Sequence, residues 1–145
     1  MEGKIVLLLA IAAAVTVSGL ELSERAKEII VECKNLHNIE LPKLLEAVEK
    51  HSLPTTENGK CFMECVMTKG GVISGGQVVV EKAHQLASKK LAGKPEMKEK
   101  VYQVIDKCAS EVSNPGGNCE FGPALGACAL KYGRELGIPA PIMAF

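Results

Sequence analysis

The feature that most limits the fold of this chain is its set of six cysteines, an even number in 145 residues. They are Cys33, Cys61, Cys65, Cys108, Cys119 and Cys128. An even number of cysteines predicts disulfides in a secreted protein, whereas the same pattern in a cytosolic protein more often indicates metal binding or catalysis. The choice between these readings depends on whether the chain is exported.

Residues 1–19 predict export. Lys4 precedes an uninterrupted run of apolar and small residues over 5–17, and Ser18 and Gly19 follow it. This order is typical of a secretory signal peptide that is cleaved near Gly19. An uncleaved anchor is the alternative, but the run is shorter than the roughly 20 residues that a spanning helix needs. We expect a signal peptide over 1–19 and one soluble extracellular domain over 20–145, with a C-terminal tail over 133–145.

Three disulfides are therefore the expected state of the cysteines. A zinc site is disfavoured because the chain has no C-x-x-C pair and no histidine spaced as a partner ligand. Cys61 and Cys65, at positions i and i+4, share one face of a predicted helix, so they are better placed to bond to two different neighbours than to each other. The sequence alone does not choose among the pairings that remain.

The mature chain reads as helical throughout, because apolar residues recur every three to four positions. Ser23 is a candidate N-cap for a first segment in which Ala26, Ile29, Ile30, Cys33 and Leu36 point inward, and Asn38 ends it. A second helix begins at Leu41. Four more helices are predicted over about 56–68, 77–90, 96–110 and 119–132. The Val78 run is assigned to helix entry because no partner strand is evident. The expected fold class is all-α, a compact bundle of about six helices.

Composition and motifs exclude several functions. The 17 basic and 17 acidic residues cancel, so no net charge attracts nucleic acid or an acidic membrane. The chain contains neither G-x-S-x-G nor H-E-x-x-H, and its histidines precede Asn, Ser and Gln rather than Asp. We expect no enzymatic activity and no cofactor. A neutral chain rich in apolar residues and methionine is suited to enclosing a small hydrophobic molecule.

The cysteine spacing is C-x27-C-x3-C-x42-C-x10-C-x8-C, and the segments CFMECVMTKGGVI, VEKAHQLASKK and CEFGPALGACAL accompany it. This pattern resembles the insect odorant-binding proteins of the six-cysteine type, which include pheromone-binding and general odorant-binding proteins. The resemblance covers about residues 20–145. It implies that Cys33 pairs with Cys65, Cys61 with Cys119 and Cys108 with Cys128, around an apolar cavity.

The resemblance also implies a function and a set of site residues. The chain is expected to be secreted into a fluid such as sensillar lymph, to bind small hydrophobic odorants or pheromones, and to deliver them towards olfactory receptors at a membrane. Tyr102 and Tyr132 are the candidates to hydrogen-bond a ligand, and the tail is expected to form a wall of the cavity. The predicted ligand-binding residues are Ala26, Met63, Met67, Ile73, Val79, Tyr102, Ile105, Ala129, Tyr132, Ile142, Met143 and Phe145.

Several alternatives stay open at this point. Each of these residues could belong to ordinary core packing, and the tail could be a frayed terminus. The chain could carry small lipids outside olfaction, interact with lipids as saposin-like proteins do, or be a structural or defence protein without a ligand. The chain could also form a homodimer. Only His37, His51 and His84 could support acid-triggered release. Equal ligand affinity at pH 7 and pH 5 would contradict such a switch.

Overall fold

The computed structural model of the chain describes residues 23–50, apart from the side chain of Val48, and residues 52–139. The predicted signal peptide, His51 and the tail residues Ile142, Met143 and Phe145 lie outside this part. It contains six helices and one short hairpin, so the all-α prediction is confirmed. The elements are α1 (Glu24–His37), α2 (Leu41–Glu49), α3 (Glu57–Lys69), β1 (Ile73–Ser74), β2 (Gln77–Val78), α4 (Val80–Lys90), α5 (Pro95–Glu111) and α6 (Phe121–Glu135).

The helix ends follow local signals in the sequence. The Ser23 side chain accepts a hydrogen bond from the backbone N–H of Ala26 at 3.1 Å, as an N-cap does. Asn38 ends α1 in the left-handed region at φ 51°, which asparagine tolerates better than most residues. Thr56 caps α3 through the N–H of Gly59 at 3.1 Å. These contacts satisfy backbone N–H groups that the first turn of a helix leaves unpaired.

The prediction that the Val78 run only enters a helix is wrong in part. Ile73 pairs with Val78 and Ser74 with Gln77 in an antiparallel hairpin. Gly75 and Gly76 form its turn at φ 59° and 74°, a conformation that other residues rarely adopt. Val79 then donates its N–H to the carbonyl of Val72 at 2.7 Å, and α4 begins at Val80. The partner strand was missed because each strand has only two residues.

The helices pack in the order α1, α3, α6, α5, α4, with β1 against α3. Among the described residues the buried side chains form three clusters, and the partly buried Val112 packs against both the first and the third. The first lies between α4, α5 and α6, the second between α1 and α3, and the third between β1 and α6. Their buried members are Ala87, Leu91, Val101, Val104, Cys108 and Ile138 in the first, Ile29, Ile30, Cys33 and Phe62 in the second, and Ile73, Phe121 and Leu125 in the third.

Leucines near the α1–α2 corner remain exposed. Leu36 is 65% exposed, so its predicted inward position is wrong, and Leu41 and Leu45 are 42% and 40% exposed. A helical period places a residue on a face, but burial also needs another element to cover that face. Within the part of the chain that the structure describes, no helix combines the length and apolarity needed to cross a membrane.

All six cysteines form disulfides in the pairing that the resemblance implies. Cys33 bonds to Cys65, Cys61 to Cys119 and Cys108 to Cys128, with Cα–Cα distances of 5.8, 4.8 and 5.8 Å. Helix α3 is therefore tied to α1 through one cysteine and to the segment before α6 through the other, as the i, i+4 spacing predicted. Since every cysteine is bonded, none is left as a thiolate ligand for zinc.

Helices α3 and α6 approach closely because α6 carries two glycines at their contact. A Cβ atom on Gly122 would lie 2.8 Å from the Cα of Glu64, in the backbone of α3. A Cβ atom on Gly126 would meet the terminal methyl group of Met63. In addition, the Glu64 carboxylate accepts a hydrogen bond from the N–H of Gly122 at 3.0 Å, which satisfies one donor of the first turn of α6.

The two glycines should differ sharply in their tolerance of alanine. We expect Gly122→Ala to lower the free energy of unfolding by about 2 kcal/mol, because its methyl group meets backbone that cannot yield without separating the helices. Gly126→Ala should change it by less than about 1 kcal/mol, since Met63 can rotate and alanine favours the helix. Chemical denaturation of both oxidised variants measures the difference. Equal losses would contradict the close approach at Gly122.

Candidate functional site

Four of the predicted ligand-binding residues gather at the first cluster. Tyr102 and Ile105 on α5 and Ala129 and Tyr132 on α6 are partly buried against its core. Residues at i and i+3 on a helix share a face, which explains why each pair reaches the same cluster. The Cys108–Cys128 disulfide, which lies within the cluster, joins the two helices that carry them.

Tyr102 is held by a neighbour that the sequence did not indicate as part of the site. The His84 ring on α4 stacks on the Tyr102 ring, with 4.2 Å between centroids and 3° between planes. The Nε2 atom of His84 lies 2.8 Å from a carboxylate oxygen of Asp106, one turn after Tyr102. This contact fixes the imidazole, and the stacked imidazole restricts the tyrosine ring. His84 is thus more than an isolated surface histidine.

The hydroxyl group of Tyr132 already has a hydrogen-bond acceptor within the protein. The hydroxyl group donates a hydrogen bond to the carboxylate of Glu111 at the end of α5. This hydrogen bond, together with burial and the negative charges of Glu111 and Glu135, raises the pKa of Tyr132 above its usual 10.0. The ammonium groups of Lys107 and Lys131 lie 4.6 and 5.1 Å from the ring centroid. What Tyr132 retains for a ligand is the acceptor capacity of its oxygen and part of its ring.

Two other predicted residues meet at the third cluster. Ile73 of β1 is 6% exposed and packs with Phe121 and Leu125 of α6. Met67 lies partly buried against the same cluster. Phe121 was not among the predicted site residues, although it is buried in this cluster next to Ile73. Its only signal was that it is one of three phenylalanines in the chain.

The remaining predicted residues are dispersed. Met63 contacts Gly126 at the α3–α6 crossing. Ala26 is partly buried in the first turn of α1, and Val79 is partly buried where β2 meets α4; neither belongs to the three clusters. The structure thus brings six of the twelve predicted residues to two clusters. Ile142, Met143 and Phe145 lie outside the described residues.

Two clefts open to solvent are found elsewhere. One, of about 450 Å³, is lined by Leu53 and by a face of α6 that includes Ala127 and Leu130. The other, of about 350 Å³, follows α1 around Val31. Neither cleft is lined by any of the predicted site residues. The outer cleft on α6, next to Ala127, therefore lies on a different face from the one that carries Ala129 and Tyr132.

A lysine near the first cluster has a lowered pKa. Lys90, in the last turn of α4, is partly buried, and this desolvation lowers its pKa from 10.5 to about 8. Between pH 8 and 10.5 the unfolded chain therefore keeps a proton that the folded chain has released. The contribution of Lys90 to the free energy of unfolding therefore rises with pH through this window, because at this group the unfolded state binds more protons.

This linkage gives a prediction for Lys90→Met. Between pH 8 and pH 9.5, the stability of the variant should rise by about 1 to 2 kcal/mol less than that of the unchanged protein. Urea denaturation at several pH values measures both slopes. Parallel slopes in the two proteins would contradict the desolvation of Lys90.

The chain is similar to known proteins both in sequence and in structure. The model of the PBP/GOBP family matches residues 18–132, more than half of the chain. No curated protein matches the sequence. The fold is similar to that of the odorant-binding protein dmelOBP28a from Drosophila melanogaster, with a TM-score of 0.65 and 23% sequence identity over 79% of this chain and 93% of that one. At this identity the structural likeness supports the fold, and the family match carries the assignment. The chain belongs to the PBP/GOBP family.

Proposed function

We propose that the mature chain is a secreted carrier that binds small hydrophobic molecules in an internal cavity and makes and breaks no covalent bond. The more specific proposal is that these molecules are odorants or pheromones and that the carrier delivers them towards olfactory receptors. The signal peptide over 1–19 and the domain over 20–145 are part of this proposal. A carrier of small lipids outside olfaction is the second candidate.

The observation that carries the proposal is the division of the core. A domain of this size usually buries its apolar side chains in one contiguous core with small satellites. Here, within the described residues, α1 and α4 lie at opposite ends of the packing order, and three clusters take the place of one core. We infer that the apolar ligand occupies space between the first and third clusters, near Tyr102 of the first and Met67 of the third.

The three disulfides support the same proposal, because they can stabilise a domain that has an internal cavity. A domain with an internal cavity loses packing contacts that a solid core would have. Three disulfides that close segments of 20, 32 and 58 residues offset such a loss by restricting the unfolded chain. The family membership and the name of the Drosophila protein add support for an odorant as the ligand.

A titration tests the proposal. The refolded, oxidised mature chain is titrated with a fluorescent apolar probe, and the bound probe is then displaced with alcohols, esters, aldehydes and terpenoids, or with fatty acids. Saturable micromolar binding that volatiles displace would support the odorant carrier. Displacement by fatty acids alone would favour the second candidate. If folded protein with three disulfides binds no probe, the carrier proposal is wrong.

A further inference from the structure

Five lysines occur in the twelve residues from 89 to 100, where α4 ends and α5 begins, and only two glutamates accompany them. We call Lys89, Lys90, Lys94, Lys98 and Lys100 the lysine corner. Because the whole chain carries equal numbers of basic and acidic residues, this local excess of positive charge is not a consequence of its composition. It needs an explanation of its own.

Helix stability does not explain the corner. Lys89 and Lys90 suit the C-terminal turn of α4, where cations interact favourably with the helix dipole. Lys94 and Lys98 do not, because Lys94 is the N-cap residue of α5 and Lys98 follows one turn later. Cations at a helix N-terminus oppose the dipole, and like charges at i and i+4 repel each other. Both effects destabilise the free protein.

Ion pairing does not explain it either. Among the described residues, four of the five lysines in α1, α2 and α3 form ion pairs with carboxylates, for example Lys27 with Glu24 at 3.3 Å and Lys43 with Glu40 at 3.3 Å, and Lys34 is the exception. By contrast, over residues 23–50 and 52–139 no ion pair involves Lys89, Lys94 or Lys98. Lys89 and Lys94 are exposed. Lys89, Lys94 and Lys98 therefore present positive charge that no carboxylate among the described residues pairs with.

We propose that the lysine corner binds a sulfated polysaccharide. Clustered lysines attract polyanions, and ammonium groups bind sulfate oxygens through charge-assisted hydrogen bonds. The choice of a polysaccharide over nucleic acid rests on the proposed secretion of the chain, because an extracellular protein meets sulfated glycans. It does not depend on the internal cavity. Lys94 and Lys98 lie about 6 Å apart along the α5 axis, so they can contact successive anionic groups of an extended chain.

The test uses heparin oligosaccharide and the oxidised mature protein at about 0.1 M NaCl, where screening leaves exposed charges effective over about 10 Å. The variant Lys89→Gln/Lys94→Gln/Lys98→Gln removes three charges from the corner. Lys90 stays unchanged because desolvation lowers its pKa to about 8, so it contributes less positive charge than the other lysines. We expect the Kd of the variant for heparin to rise at least about tenfold, and wild-type binding to weaken steeply with added salt.

The matched control is Lys27→Gln/Lys43→Gln/Lys50→Gln, which removes the same charge from lysines paired with carboxylates. Its Kd should change by less than about threefold, since these lysines are already neutralised. Equal weakening in both variants would overturn the proposal, because net charge alone would then explain binding. No wild-type binding at about 0.1 M NaCl, or binding to phosphatidylserine vesicles without binding to heparin, would overturn it as well. Circular dichroism of both variants reports that they are folded.

Discussion

Removal of the Cys61–Cys119 disulfide by Cys61→Ala/Cys119→Ala is expected to lower the free energy of unfolding by about 4 kcal/mol and the Tm by about 15 °C. The bond closes the longest segment of the three, with a sequence separation of 58. Without it, the unfolded chain gains the conformations that the crosslink forbids. The bond also ties α3 to the segment before α6. Calorimetry of the oxidised variant, with its other four cysteines still paired, measures the loss.

The control is the shortest crosslink. Cys108 and Cys128 are separated by only 20 residues, so Cys108→Ala/Cys128→Ala should cost about 3 kcal/mol, about 1 kcal/mol less than the first variant. This order follows from segment length, because the longer segment has more conformations to lose when the crosslink closes it. A larger loss for the shorter crosslink would mean that native packing, rather than restriction of the unfolded chain, dominates the contribution of these bonds.

A large side chain at position 129 is expected to abolish ligand binding. Ala129 is partly buried against the first cluster, on the face of α6 that also carries Tyr132. If this face borders the proposed cavity, Ala129→Trp fills space that a ligand would occupy, and the affinity for an apolar probe should fall more than about tenfold. Ala129→Leu adds less volume and should cause a smaller loss in the same direction. Fluorescence titration of both variants measures these affinities.

Ala127 provides the matched control on the same helix. It is exposed and lines the outer cleft together with Leu53 and Leu130. Ala127→Trp should leave probe affinity within about twofold, because this cleft does not include the predicted residues. If Ala127→Trp weakens binding and Ala129→Trp does not, the probe occupies the outer cleft, and the internal cavity is the wrong site. Circular dichroism verifies that both proteins are folded.

Local signals in the sequence were sufficient for most of the secondary structure. Ser23, Asn38 and Thr56 end or begin helices through contacts within a few residues, so their effect is visible in the sequence. The Val78 hairpin was missed because its pairing extends over only two residues on each strand. The disulfide pairing depended on the resemblance to a family, since geometry ruled out only the bond between Cys61 and Cys65.

The details of the site depend on distant contacts that a sequence pattern does not reveal. The Tyr132 hydroxyl group donates a hydrogen bond to Glu111, which lies 21 positions away in the sequence. His84 and Tyr102 stack although they belong to different helices. Each contact depends on how two helices are rotated relative to each other. Hydrophobic periodicity predicts which face of a helix is buried, but not its exact rotation. The helix faces that carry these residues were therefore predictable, but the partners of their polar groups were not.

The most direct test of the account is an NMR titration of oxidised mature protein that carries ¹³C in its methionine methyl groups. A medium-chain alcohol is added, and the signals of Met63, Met67 and Met97 are followed. An internal cavity between the first and third clusters predicts saturable shifts of Met67 and Met63 at one ligand per chain, and a shift of Met97 as well, because Met97 packs against the first cluster. If folded protein with three disulfides gives no shift of Met63 or Met67 at saturating alcohol, the account of an internal carrier site is contradicted.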